Sequence, residues 1–219
     1  MDRAGGVPAA EELVREANHR IANHLTLLSS MIQIQIDAMK SGAEMMTREA
    51  AANQLRAAIF RIVAIAGLHR RLTGAPGDLI DLGEFLSGTC AELLPSLGVG
   101  DRLRIEEDLA PGCAATAEQA STLSLMLGEI VVNALKYARP AGHPVVVRLS
   151  CVRAGDAVVV EIGDDGVGLP EGFDEARDGG VGFRLMRSLV QKIGARLDYR
   201  SGQQGLAFRI AVPAVSASD

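Results

Sequence analysis

Tryptophan is missing from this chain, and aromatic residues make up only 3% of it. Any core must therefore rest on Leu, Ile, Val, Ala and Met, the material of helix bundles and α/β layers. No run of about 18 apolar residues is free of charge, so no membrane span is expected. The opening residues, MDRAGGVPAAEE, turn acidic at once and hold no apolar signal region, so no export signal is read. Cysteine is scarce: Cys90, Cys113 and Cys151 are unevenly spaced and lack partner histidine pairs. That argues against a disulfide frame or a zinc site and fits reduced thiols in the cytoplasm, the expected compartment. Positive charge is not in excess either. A formal net charge of −5 argues against broad nucleic-acid binding.

What is present fits a folded chain, 48% apolar and 22% charged over 219 residues. That length holds one ordinary domain or two small ones. Proline is absent from residues 9–73, and glycine appears there only at Gly42 and Gly67. The stretch reads as two long helices with a turn near Lys40-Ser41-Gly42. Val14, Ile21 and Leu28 are spaced by seven, as are Leu25 and Ile32, in the manner of a coiled-coil seam. Leu55, Ile59, Ile62, Ala66 and Leu72 mark the second helix. A lone hairpin of this size covers little of each apolar stripe. Pairing with a second copy into a four-helix bundle covers the rest, so a homodimer is expected. Thr73-Gly74-Ala75-Pro76-Gly77-Asp78 then marks a boundary, giving a helical hairpin at 9–75 and a second unit at 78–213.

The second unit reads as α+β. Residues 83–97 look helical, 102–107 alternate like a strand, and Thr116 with Gln119 stands at capping-box spacing before a long helix over 117–138. PVVVRLSCV and AVVVEIGD, joined by RAGD, form a hairpin. A helix at 182–193 and strands at 195–201 and 206–212 complete a sandwich with helices on one face of a mixed sheet.

Several residues carry chemical promise. On the first helix, His19 lies roughly 140° from the apolar seam, and Asn23 lies nearly opposite that seam, one turn on. Imidazole is nucleophilic near neutral pH and suits phosphoryl relay. His24 falls closer to the seam and reads as packing. On the 117–138 helix, Glu129, Asn133 and Lys136 form one polar stripe. A carboxylate, an amide and an ammonium so aligned can meet a water, a hard cation and phosphate oxygens. After a strand comes Asp164-Asp165-Gly166-Val167-Gly168, where Asp164 can accept from an exocyclic amine. Gly179-Gly180-Val181-Gly182 opens a helix and exposes amides to an anion, with Arg184 and Arg187 on its first turns. Residues 171–180, acidic and glycine-containing, read as a flexible lid. Alone, each motif has a plainer reading: a surface histidine, a solvated polar face, an Asp-Gly turn.

Their order is more specific. Glu-x-x-x-Asn on a helix, Asp-x-Gly-x-Gly after a strand, then Gly-x-Gly before a helix resembles the GHKL ATPases. These include gyrase, a heat-shock chaperone, a mismatch-repair ATPase and sensor histidine kinases. GEIVVNALKYA looks like the N box, VEIGDDGVGLPEGFD like the G1 box and GGVGFRLMRSLVQKIGA like the G2 box. NHRIANHLTLLSSMIQIQ is similar to the H box of HisKA_2-type, His-Arg-x-x-Asn histidine kinases. The resemblance spans about residues 10–213.

It implies a dimeric four-helix bundle followed by a GHKL-type sandwich. It also implies a kinase that uses ATP and Mg²⁺ to phosphorylate His19 and passes the phosphate to an aspartate of a response-regulator receiver domain. Asn133 would hold Mg²⁺, Glu129 would position water or act as base, and Lys136 would meet phosphate. Asp164 would read adenine, and Gly166, Gly168, Gly180 and Gly182 would shape the pocket. Asn23 would assist the reverse, dephosphorylating reaction. Two departures stand out. Gly205-Leu206-Ala207-Phe208 replaces the family's Gly-Thr-x-Phe, and the tryptophan box of the related HWE kinases is absent. No sensor domain is read ahead of the bundle, so input is expected either from a separate protein or from a sensor segment outside this sequence. Three other readings remain open at this point: an ATP-independent phosphotransfer protein, a regulator-binding scaffold, and a serine kinase acting on anti-sigma-type partners.

Overall fold

A computed structural model describes residues 79–139 and 143–215, with scattered helical positions from Ala22 to Lys40 and from Leu55 to Ile62. His19, Asn23 and His24 lie outside the described residues, as do Ser41 and Gly42 of the expected turn and the 73–78 boundary.

The described unit opens with β1 (Ile80–Asp81) and α1 (Leu82–Leu97). Asp81 caps α1, its carboxylate accepting the Glu84 amide at 2.9 Å, and Gly98 ends it in the left-handed region at φ 59°. A short 3₁₀ turn leads to β2 (Leu103–Leu109), and β3 (Ala114–Ala115) pairs back onto β1. Next come α2 (Ala117–Asn133), a π-helical turn at Ala134–Ala138, β4 (Val145–Ala154) and β5 (Ala157–Asp164). A helical turn α3 (Glu175–Asp178), then α4 (Gly180–Lys192), β6 (Arg196–Gly202) and β7 (Gly205–Pro213), complete the unit.

The main sheet has five strands in the order β2-β4-β5-β7-β6. β2 runs parallel to β4, and the other neighbours are antiparallel, so the sheet is mixed. Alternation decides its two faces. Val147, Leu149, Val160, Ile162, Phe208 and Ile210 point inward and meet Leu86 of α1, Leu123 and Leu127 of α2, and Met186 of α4 in one buried core. The other face carries charge. Glu106 pairs with Arg148 at 3.3 Å, and Glu161 with Arg209 at 2.8 Å and Arg200 at 3.3 Å. Among the described residues, helices cover one face only, in keeping with the α+β reading.

The few aromatics are not scattered. Of five Phe and two Tyr, four (Phe173, Phe183, Tyr199 and Phe208) form one cluster with ring centroids 5.4–6.1 Å apart. Tilted and edge-to-face pairs of this kind fix geometry beyond plain burial. Here they seat the start of α4 on the sheet. Cys90, Cys113 and Cys151 are free and buried. Burial, with Glu107 beside it, pushes the Cys90 thiol up to about 12, so it is poorly reactive at neutral pH. Among the described residues, no helix is long and apolar enough to cross a membrane.

Candidate nucleotide site

The capping box read at Thr116 and Gln119 is present. The Thr116 hydroxyl accepts the Gln119 amide at 3.1 Å, and the Gln119 side chain accepts the Thr116 amide at 2.9 Å. Gln119 also donates to the Pro213 carbonyl at 3.1 Å, which anchors the start of α2 to the end of β7. With that end fixed, the far end of α2 delivers Glu129, 6% exposed, and half-buried Asn133. Beyond Asn133 the helix widens into the π turn. Each residue there advances less around the axis than in an α-helix. Half-buried Lys136 lies within that turn.

Asp164 ends β5 at the inward register and is 8% exposed. One carboxylate oxygen, Oδ1, accepts the Gly166 amide at 2.8 Å and the Leu206 amide at 3.4 Å. Burial pushes this carboxyl above its ordinary range, and the two amides pull it partly back. The missing threonine at 206 thus leaves this hold intact, since the backbone amide makes it. Gly166 is where the Asp164 loop and the end of α2 touch. A Cβ there would lie 2.5 Å from three atoms of Ala138, and the Val167 amide donates to the Ala138 carbonyl at 2.9 Å. Gly168 turns the chain at φ 72° against Ser201 and Gly202, a conformation that glycine adopts without a side-chain penalty.

Gly180 begins α4, and Gly182 faces Asn133: a Cβ at 182 would lie 3.4 Å from the Asn133 amide nitrogen. Asn133 thus approaches Gly182 of α4, and the Asp164 loop touches the π turn that follows Asn133. Arg187 is engaged elsewhere. Its guanidinium donates to both carboxylate oxygens of Glu175, at 2.6 and 2.7 Å, and to the Leu197 carbonyl at 3.3 Å. It latches α3, inside the stretch expected to be a flexible lid, onto α4 and β6. Arg184 is exposed.

Sequence reasoning missed the Ser201 hydroxyl, which accepts the Leu169 amide at 2.6 Å, and the pairing of Arg139 with Asp165 at 2.7 Å. Neither stands in a motif. A cavity of about 760 Å³ also opens on the charged face of the sheet, floored by Ser150, Gly163 and Ala207. Asp164 borders it, but Asn133 and Gly182 do not, so it is separate from the Asn133–Gly182 approach.

The arrangement fits a nucleotide. It holds a buried carboxylate with one oxygen committed to amides, an amide side chain against a glycine, and a glycine-rich helix start that attracts anions. Among the described residues, no three His, Cys, Asp or Glu gather into a metal cage. A cation beside Asn133 would take most of its ligands from phosphate oxygens and water, the habit of Mg²⁺.

Known proteins agree with this reading. The family described as "Histidine kinase-, DNA gyrase B-, and HSP90-like ATPase" matches residues 118–216, and one described as "Histidine kinase" matches residues 16–97. Blue-light-activated histidine kinase 2 of Erythrobacter litoralis is 31% identical over 97% of this chain. Sensor histidine kinase PdtaS of Mycobacterium tuberculosis is 28% identical over 87%. The chain spans 61% and 36% of these two relatives' lengths. Among solved structures, the histidine kinase domain of a blue-light-activated kinase from Erythrobacter litoralis superposes with a TM-score of 0.66. That match has 28% identity and covers 91% of this chain and 92% of that one.

Proposed function

The chain belongs to the histidine kinase family, and from that premise we propose that it binds ATP with Mg²⁺ and phosphorylates its own His19. The observations that support this are the approach of Gly182 to the Asn133 side chain and the contact of the Asp164 loop, at Gly166, with Ala138 five residues beyond Asn133. The α+β unit, 78–213, holds the nucleotide, and the hairpin, 9–75, offers the acceptor. Ile36, Leu55, Ile59 and Ile62 are exposed on helices of that hairpin. A second copy covering them completes a homodimeric bundle.

ATP supplies the γ-phosphoryl group, and Mg²⁺ neutralises charge on its oxygens. Asp164 keeps Oδ1 on the two amides and turns Oδ2 to the exocyclic amine of adenine. Asn133 offers its amide oxygen to the cation, and Glu129 holds a water or a proton beside it. Lys136 and the amides that open α4 face the phosphates, with Gly180 and Gly182 leaving room. Gly168 and the Arg187–Glu175 latch fix the two ends of the lid. The His19 imidazole presents a neutral nitrogen in line. A nitrogen–phosphorus bond forms as the bond to the β-phosphate oxygen breaks, leaving ADP. Positioning and charge neutralisation supply most of the acceleration. The phosphoryl group then passes to an aspartate of a response-regulator receiver domain.

Calorimetry on Asn133→Ala tests the cation's place. The change keeps a good helix former. Affinity for ATP with Mg²⁺ should fall about tenfold or more, while affinity for ATP in excess chelator stays within about threefold. Failure of the unaltered chain to bind ATP under either condition would sink the proposal.

A further inference from the structure

We propose that Arg139 and Asp165 form a positioning pair that sets the distance between the Asp164 loop and the Asn133 end of α2, so that one nucleotide is gripped at both ends. The proposal rests on the nucleotide reading above, but it concerns residues that stand in no ligand-facing role. Arg139 follows the π turn directly. One terminal nitrogen of its guanidinium donates to the Asp165 carbonyl and to the Asp165 carboxylate, each at 2.7 Å. The other carboxylate oxygen of Asp165 accepts the Val146 amide at 3.0 Å, and the Asp165 amide donates to the Val146 carbonyl at 3.0 Å. Asp165 is therefore fastened on one side to the start of β4 and on the other to the residue that follows the π turn.

Three independent contacts join the same two segments: this ion pair, the Val167–Ala138 backbone bond, and the bare approach of Gly166 to Ala138. The last two set a contact distance at one point only. Arg139 supplies a second point, offset along the chain, and two points define an orientation where one leaves a hinge. The hinge matters because Asp164 immediately precedes Asp165, while Asn133 and Lys136 lie just before Arg139. A rotation at this joint would leave each half of the site intact and spoil only their spacing. Burial alone would raise the Asp165 carboxyl. The Val146 amide and the Arg139 guanidinium outweigh it and hold the group below the usual carboxylate range, so the pair stays charged at neutral pH.

A ligand that spans both halves must feel such a joint, and one confined to the adenine end must not. The full chain and its Arg139→Ala, Arg139→Lys and Asp165→Asn variants are titrated by calorimetry with ATP in Mg²⁺ and, separately, with adenosine. Arg139 has a partly exposed side chain, so Arg139→Ala keeps the test sound should Asp165→Asn disturb its loop. Affinity for ATP should fall about tenfold in Arg139→Ala and in Asp165→Asn, the size expected for a charge-assisted hydrogen bond. Adenosine affinity should stay within about twofold, and Arg139→Lys, which keeps one donor, should recover most of the loss. ATP affinity unchanged in both variants overturns the pair's role. So does an equal loss for ATP and adenosine, which would mean that the loop has simply come apart. A wild-type chain that binds neither ligand overturns the nucleotide reading and the pair together.

Discussion

Asparagine at position 164 should leave the fold at least as stable as the wild type while lowering ATP affinity about 100-fold. The two effects have one origin. The Asp164 carboxylate is buried, and burial raises its pKa against the pull of the Gly166 and Leu206 amides. Folding at neutral pH therefore carries a cost for keeping that charge out of water. A neutral amide removes the cost and still lets Oδ1 accept both backbone amides. That orientation points the new NH₂ group at the place where Oδ2 would meet the adenine amine, donor against donor.

The sign with pH follows from the raised folded value. Below the ordinary aspartate range, near 3.8, both states are protonated and the charge costs nothing. As pH rises through the raised folded value the folded state must ionise, so the wild type loses stability that the variant keeps. Melting temperatures at pH 4 and pH 7, compared between the two proteins, should show a larger advantage for the variant at the higher pH, of about 2–4 °C if it amounts to ~1 kcal/mol. A variant that melts well below the wild type at pH 7, or that binds ATP as before, would refute this account of Asp164.

A methyl group at position 166 should abolish ATP binding, where one at position 172 should leave it intact. In Gly166→Ala the new Cβ lies 2.5 Å from the Ala138 Cα, Cβ and carbonyl oxygen, and backbone atoms cannot step aside as a flexible side chain can. Separating the loop from the end of α2 strains the Val167–Ala138 hydrogen bond as well. Overpacking of this kind costs about 1–3 kcal/mol, and ATP binding should be lost with it. Gly172 has a positive φ of 73° but nothing within 4 Å, so Gly172→Ala bears only the left-handed backbone penalty, about 1–2 kcal/mol, and keeps its nucleotide site. Thermal melts and ATP titrations on both variants check the contrast. Gly166→Ala binding ATP like the wild type would mean that the loop and the helix end are not in contact.

These two glycines show what was readable in the chain and what was not. Strand alternation in β4 and β5, the Thr116 capping box and the order of the motifs are local signals, and each is present within a few residues. The π turn was not legible, because ALKYA has no feature that disfavours one more α-helical turn. Arg139 and Asp165 are 26 positions apart and meet only because β4 and β5 fold between them. The lid stretch reads as flexible from its acidity and glycines. It nonetheless holds a helical turn, since Asp178 accepts the Asp174 amide and Arg187 clamps Glu175 from α4. Arg187 looked suited to phosphate for the same reason: its partner lies outside the periodicity of its own helix. Two-residue strands such as β1 and β3 have too few side chains to alternate at all.

The most direct measurement is transfer of label from γ-labelled ATP with Mg²⁺ to the wild type, His19→Ala and Asn133→Ala chains. A wild-type label that is acid-labile and alkali-stable, and absent from both variants, is the predicted result. A folded wild type that takes up no label, or a label that survives His19→Ala, would contradict the assignment of this chain as a kinase acting on its own histidine.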